Sequence, residues 1–232
     1  MKSEATAQSL YSQLEAAVPR GLAVPDALRK LYVWIGENGM VGDGGIEGVK
    51  GWLYNPDRFP KRPDDDDEEE AYCYGTQIEF SGRDDLYYSS WFGSTNPEIR
   101  ERLCIFAKTG GDGSRAGLWF DDANQARMVH LGSGSGSTFV GLIGNEPVDF
   151  LRLIAIGYTE ICWDEYFSEP PRQEDGIHLV PDVAFQNWVK ETFGVTIPKT
   201  ASEIVPDPGH MSDQSPKDSF AKWVWKMTGR IP

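Results

Sequence analysis

The sequence predicts an α+β protein built on a central, mostly antiparallel β-sheet, a meander, flanked by helices. Three observations predict it. Short apolar runs alternate with turn-forming segments between 103 and 131, the spacing is too tight for crossover helices, and well-punctuated amphipathic helices lie on either side. Leu103-Cys104-Ile105-Phe106-Ala107 is the first strand expected, and Thr109-Gly110-Gly111-Asp112-Gly113-Ser114 is a turn that glycine and aspartate tolerate well. A second strand is expected over 116–120, a turn at Asp121-Asp122-Ala123-Asn124, and a third strand over 127–131. The stretch 137–143 reads as another strand, followed by a helix over 146–156. For that helix Asn145 is the expected cap, Glu146 and Asp149 suit the positive end of the dipole, and Gly157 ends it in a left-handed turn. Val148, Phe150, Leu151, Leu153, Ile154 and Ala155 cover most of its circumference, so it should be buried on the sheet.

At the start of the chain, Ala7, Leu10, Leu14 and Ala17 share one face of a helix that Pro19 ends, expected to be peripheral. Pro25-Asp26 opens a second, core-facing helix, with Leu28, Leu31, Tyr32 and Ile35 at i, i+3, i+4, i+7 and Asn38-Gly39 as its close. The segment 42–63 reads as an irregular excursion with one strand over 48–53. Apolar and polar residues alternate over 74–80, as in a strand with one wet face, and 86–92 is an aromatic-rich strand candidate. Past Pro170-Pro171, Asp182 is placed to cap a helix carrying Phe185, Trp188 and Val189, closed by Gly194; 195–198 reads as extended, and 220–227 as a last helix with Trp223 and Trp225. Large aromatics spread through this tail argue that it docks, since each buried ring removes roughly 150 to 250 Å² from water.

Composition bounds the function classes. The chain has 232 residues, 40% of them hydrophobic, enough for one domain: N-terminal helices over 4–39, the best-supported core over 75–158, and a helical tail over 159–232. No leader pattern and no membrane-length apolar run is present; the richest run, 150–156, holds Arg152. Cys73, Cys104 and Cys162 stand apart without CxxC spacing, so neither a disulfide framework nor a zinc site is expected, and the expected location is the cytoplasm. A formal net charge of −14 opposes contact with phosphate backbones, which excludes nucleic acid as the expected direct ligand. No cofactor is called for.

Much of the negative excess sits in Asp64-Asp65-Asp66-Asp67-Glu68-Glu69-Glu70. Its self-repulsion favours a solvated loop; the sharper alternative is an electrostatic lure for a basic protein, and calcium is disfavoured because the carboxylates lack alternating spacing and a loop glycine. Gly132-Ser133-Gly134-Ser135-Gly136-Ser137 has the look of a phosphate cradle, but it lacks the P-loop lysine and leads into an extended run, so a hairpin turn is expected. His130, His178 and His210 form no metal-ligand pattern, and neither Ser133 nor Ser135 sits in a GxSxG elbow. Asp121 and Asp122 after Trp119, with Asp84 and Asp85 before Tyr87 and near Trp91, remain as candidate partner-binding residues. Turn chemistry explains the aspartates, and an acidic, aromatic protein-binding patch that also takes in Asp64, Asp65, Asp66 and Asp67 is the functional alternative. A carboxylate-based hydrolase using Asp121 and Asp122 is remote, because adjacent strand side chains point to opposite faces.

The order of strand, Gly-Gly-Asp-Gly turn, Gly117-Leu118-Trp119-Phe120-Asp121 strand, Met128-Val129-His130-Leu131-Gly132 strand and Pro147-Val148-Asp149-Phe150-Leu151-Arg152-Leu153 helix resembles the SUKH superfamily, most clearly over 75–158. This is the clan of a fungal cell-wall-assembly regulator and many bacterial immunity proteins. Phe193-Gly194-Val195-Thr196-Ile197-Pro198 is similar to the tail of some bacterial members. The resemblance implies a non-enzymatic protein-binding module, with bacterial relatives that block a delivered toxin, often a nuclease. The expected partner is therefore a protein, a basic toxin domain among the candidates; a regulatory or scaffolding role is the alternative.

Overall fold

A computed structural model describes residues 2–45, 48–53, 71–74, 76–82, 85–171 and 177–230. Helix α1 (Lys2–Ala17) stops before Pro19, which cannot continue the hydrogen-bond ladder. Leu10 and Leu14 are fully buried, so this helix belongs to the core and is not peripheral. Glycine makes that approach possible: a Cβ at Gly51 would press on Leu10 and Ile35. Helix α2 (Asp26–Glu37) follows its periodicity, burying Leu28, Leu31, Tyr32 and Ile35, and Gly39 turns the chain out at φ 67°.

Seven antiparallel strands form the main sheet: β1 (Val41–Asp43), β2 (Val49–Trp52), β4 (Glu79–Phe80), β5 (Leu103–Lys108), β6 (Arg115–Phe120), β7 (Ala126–Leu131) and β8 (Val140–Leu142), in that spatial order. The three strands of the meander lie where the apolar runs place them, and β8 is shorter than the stretch 137–143. Over 74–80 the structure differs from the single alternating strand. β3 (Ala71–Tyr74) leaves the main sheet and pairs in parallel with β9 (Ile177–Val180). The backbone N–H of Gln77 and the hydroxyl of Thr76 both donate to the Thr159 carbonyl, which draws the chain out of register and leaves only Glu79–Phe80 in the sheet.

The aromatic run after 85 is helix α3 (Asp85–Phe92), not a strand. Its β-forming composition is overridden by a helical period that buries Tyr88 and Phe92 while Ser89 and Ser90 stay exposed, and Gly93 ends it at φ 58°. Helix α4 (Pro97–Arg102) follows, with Asn96 accepting from Glu98 N as its cap. Because β4 is short, the outer edge of β5 lacks a strand partner along part of its length, and two tyrosine hydroxyls supply the bonds. Tyr88 accepts from Ile105 N at 2.8 Å and donates to Leu103 O at 3.1 Å, and Tyr32 lies 3.0 Å from Phe106 O and 2.8 Å from Ser81 O. Tyr88→Phe is expected to destabilise the fold by about 1–3 kcal/mol, because a buried backbone N–H then loses its acceptor. Urea titration of the two forms measures it.

Alternation along the strands sends side chains to two faces, and helices cover both. On one face Cys104, Phe106, Ala116, Leu118 and Met128 pack under α1, α2, α5 (Pro147–Ala155) and α6 (Val183–Phe193). On the other, Leu103, Ile105, Trp119, Val129 and Val140 pack under α3, α4 and α7 (Ser219–Met227). The helix before Gly157 is capped by Glu146, not Asn145: Asp149 Oδ2 accepts from the N–H of both, and Gly157 follows the helix at φ 103°. The two tail helices are capped as anticipated for α6, by Asp182 accepting from Phe185 N, and for α7 by Asp218, whose other oxygen accepts from Leu142 N and ties α7 to β8. Among the described residues no helix is long and apolar enough to cross a membrane.

Candidate functional site

The aspartates that the sequence singles out part company in the structure. Asp121 folds back on its own turn, accepting from Ala123 N and Gln125 N at 2.9 Å and from Arg127 Nε at 3.1 Å. Partial burial acts to raise its carboxyl, and these hydrogen bonds outweigh it, so its pKa is lowered. Asp122 points outward, 96% exposed, with Arg102 Nη2 2.9 Å away. The two carboxylates therefore do not converge on a common space, the arrangement that acid–base chemistry would need.

Trp119 is 3% exposed and offers no contact area. It lies under α7, 5.4 Å from the Phe220 ring and 5.8 Å from that of Trp223, with the Arg102 guanidinium over its face; an exposed aromatic at this position is thus corrected to a core one. Tyr87 and Trp91 sit at the far end of the same strands. Tyr87 OH donates to Leu131 O, the Arg115 guanidinium covers its ring at 4.8 Å, and Trp91 Nε1 donates to Gly132 O at 2.7 Å. Leu131 pairs with Arg115, whereas the Asp121 turn follows the Phe120–Ala126 pair, so the length of the β6–β7 hairpin separates the two groups. Asp85 opens α3 and only its backbone is described. Asp84, Asp64, Asp65, Asp66 and Asp67 lie outside the described residues.

A denser polar assembly occupies the end of the sheet away from the Asp121 turn, the end where Tyr87 and Trp91 also lie, and the sequence marks it only as loops. Asp112, in the Gly-Gly-Asp-Gly turn, accepts from Ser114 N (2.9 Å), Ser114 Oγ (2.7 Å), Ser133 Oγ (2.7 Å) and Ser137 N (2.9 Å). The glycine-serine loop that has the look of a phosphate cradle is thus a hairpin turn closed around the protein's own carboxylate. Burial acts to raise Asp112, but the bonds from Ser114, Ser137 and Ser133 prevail and hold it at about 2.

Glu160 binds the next layer, accepting from Gly111 N at 2.6 Å and from Trp163 Nε1 at 2.9 Å. Beside it Cys162 is a buried thiol raised by burial and by Asp112 and Glu160, which leaves it protonated and inert; Cys104 is pushed up to about 12 by burial alone. Gly110 has to be glycine, since a Cβ there would collide with Cys162 Sγ. Asp164 is raised by burial, with Glu165 adding to it, and Tyr166 is 38% exposed beside them. The surface at this end is acidic and partly aromatic, held rigid from beneath by carboxylates already committed to N–H and O–H donors.

No protein-family model matches the chain, and no curated protein or solved structure is significantly similar to it.

Proposed function

We propose that the protein is a non-catalytic binding module of SUKH type, an immunity protein that neutralises a basic toxin domain in the cytoplasm. The observation that carries this is charge: 36 acidic against 22 basic residues give a formal net −14. Several of the cations are committed to acids of the same chain, among them Lys50 to Glu79, Arg127 to Asp121 and Arg152 to Asp149. The outward field is therefore negative, and a nuclease, which must present a basic groove to its substrate, is the partner such a field attracts fastest. An α+β fold with helices flanking a mostly antiparallel sheet is the architecture the resemblance implies, and the helices that cover both sheet faces here move recognition onto loops and helix exteriors.

The test is association with a basic toxin domain encoded beside the gene. Binding is expected at low salt, with the association rate falling at least about tenfold between about 20 and about 300 mM salt as screening shortens the field. Absence of binding at low salt overturns the proposal, and a neighbourhood without a toxin gene favours the regulatory alternative.

A further inference from the structure

We propose that His130 makes the turn end of the sheet an acid-sensitive latch, closed while its imidazole is neutral and opened at the β5–β6 and β7–β8 turns when the ring takes a second proton. His130 has no exposed surface. Its ring stacks on Phe139 at 4.7 Å between centroids and 9° between planes. Nδ1 lies 3.0 Å from Phe139 O and Nε2 lies 3.0 Å from Thr109 Oγ1, so one side chain spans both turns. Through Thr109, whose carbonyl accepts from Ile161 N, it also holds the segment after α5.

The partners set the neutral form. A carbonyl only accepts, so Nδ1 carries the hydrogen and Nε2 accepts from the Thr109 hydroxyl. On a second protonation the Thr109 hydroxyl must rotate so that Oγ1 accepts from Nε2–H, and its own hydrogen then loses the only hydrogen bond it makes among the described residues. The new charge would be enclosed as well. The titratable groups of the surrounding elements are Asp112 on the β5–β6 turn, Glu160, Cys162 and Asp164 after α5, and His210, which bridges Phe139. Asp112 attracts the charged ring, yet its oxygens are already taken by four donors, and burial prevails: the pKa falls from an ordinary 6.5 to about 4.

A folded-state pKa below the unfolded one means that the unfolded or opened form binds the extra proton. Stability from this group is complete above about pH 6.5 and is lost as pH falls toward 4. From that difference the opening equilibrium should rise about 30-fold between pH 7.5 and pH 5. The loss is local because side-chain hydrogen bonds and four backbone bonds, Thr109 N to Ser114 O, Gly113 N to Gly110 O, Gly132 N to Phe139 O and Gly134 N to Ser137 O, close these turns, whereas α2 and α5 rest on the apolar core.

Hydrogen exchange of the full chain at pH 7.5 and pH 5, corrected for intrinsic rates, tests it. Peptides covering 109–114 and 132–139 should gain exchange at pH 5 while those of α2 and α5 do not; in His130→Asn the acid response of the turns should vanish, and in Asp164→Asn it should persist. A uniform gain across the chain, an unchanged response in His130→Asn, or its loss in Asp164→Asn overturns the proposal. Should His130→Asn fail to fold, NMR titration of the wild-type ring decides: protonation only below about pH 5, with the turns opening, supports the latch, and titration near 6.5 without opening refutes it.

Discussion

Phe150→Ala is expected to destabilise the protein by about 3–5 kcal/mol, the largest loss from any single truncation considered. Phe150 is fully buried at the inner face of α5 and meets two strand aromatics edge-on, Phe106 with centroids 5.2 Å apart and Phe80 at 6.5 Å. Truncation removes the apolar transfer energy of the ring and both aromatic contacts, and it leaves a cavity. The walls have little freedom to close it. Tyr32, edge-on to Phe80, is pinned by its hydroxyl to the backbone of Phe106 and Ser81, so the strand edges are tied in place. Chemical denaturation monitored by tryptophan fluorescence measures the loss, and Phe150→Leu should recover a good part of it. A cost below about 1 kcal/mol would show that α5 does not anchor the sheet as described.

Asp112→Ala is the second large effect, expected to cost about 2–4 kcal/mol, since four donors lose a charged acceptor at once. Ser137, which is buried, loses the acceptor of its backbone N–H, and the two turns lose the group that joins them. The pH dependence identifies the cause. Asp112 has a folded pKa near 2 against an ordinary 3.8, so its contribution is present above about pH 4 and lost as pH falls toward 2. Stability of the wild type should therefore drop across that interval more steeply than that of Asp112→Ala. Equal slopes would refute the hydrogen-bonded anion as the source. Asp112→Asn should fall between the two, because the amide keeps one acceptor but turns an N–H₂ group toward other donors.

Local signals were legible where they repeat within one turn of helix or one pleat of strand. Leu28, Leu31, Tyr32 and Ile35 lie at helical spacing, and the helix they predict is α2. The Gly-Gly-Asp-Gly and Asp-Asp-Ala-Asn turns between 103 and 131 mark the hairpins, and Asp182 and Gly194 bound α6. The run from 86 to 92 misled because tyrosine, tryptophan and phenylalanine favour strands, while the pairs Tyr87–Trp91 and Tyr88–Phe92 at i, i+4 carried the helical period beneath that bias. The 74–80 stretch misled because Tyr74 belongs to β3, whose strand partner β9 lies about a hundred residues further along.

The candidate site was less legible for a related reason. Trp119 beside two aspartates reads as a surface aromatic, but Phe220 and Trp223, distant in the chain, decide that it is interior. Asp112 was visible as a turn residue. Its place at the centre of a hydrogen-bonded assembly depends on Ser133 and Ser137, which only the β6–β7 hairpin brings near, and nothing in local composition signals that Glu160 and Trp163 join them.

The sequence by itself determined the α+β class, the antiparallel meander and the negative field, since hydrophobic period, turn chemistry and charge are summed over neighbours or over the whole chain. Tertiary structure alone decided that both sheet faces are covered, that Trp119 is core, and that His130 and Asp112 lock the turns together. Burial and hydrogen-bond satisfaction are set by which distant segments share a volume, and that information is not contained in any short stretch of residues.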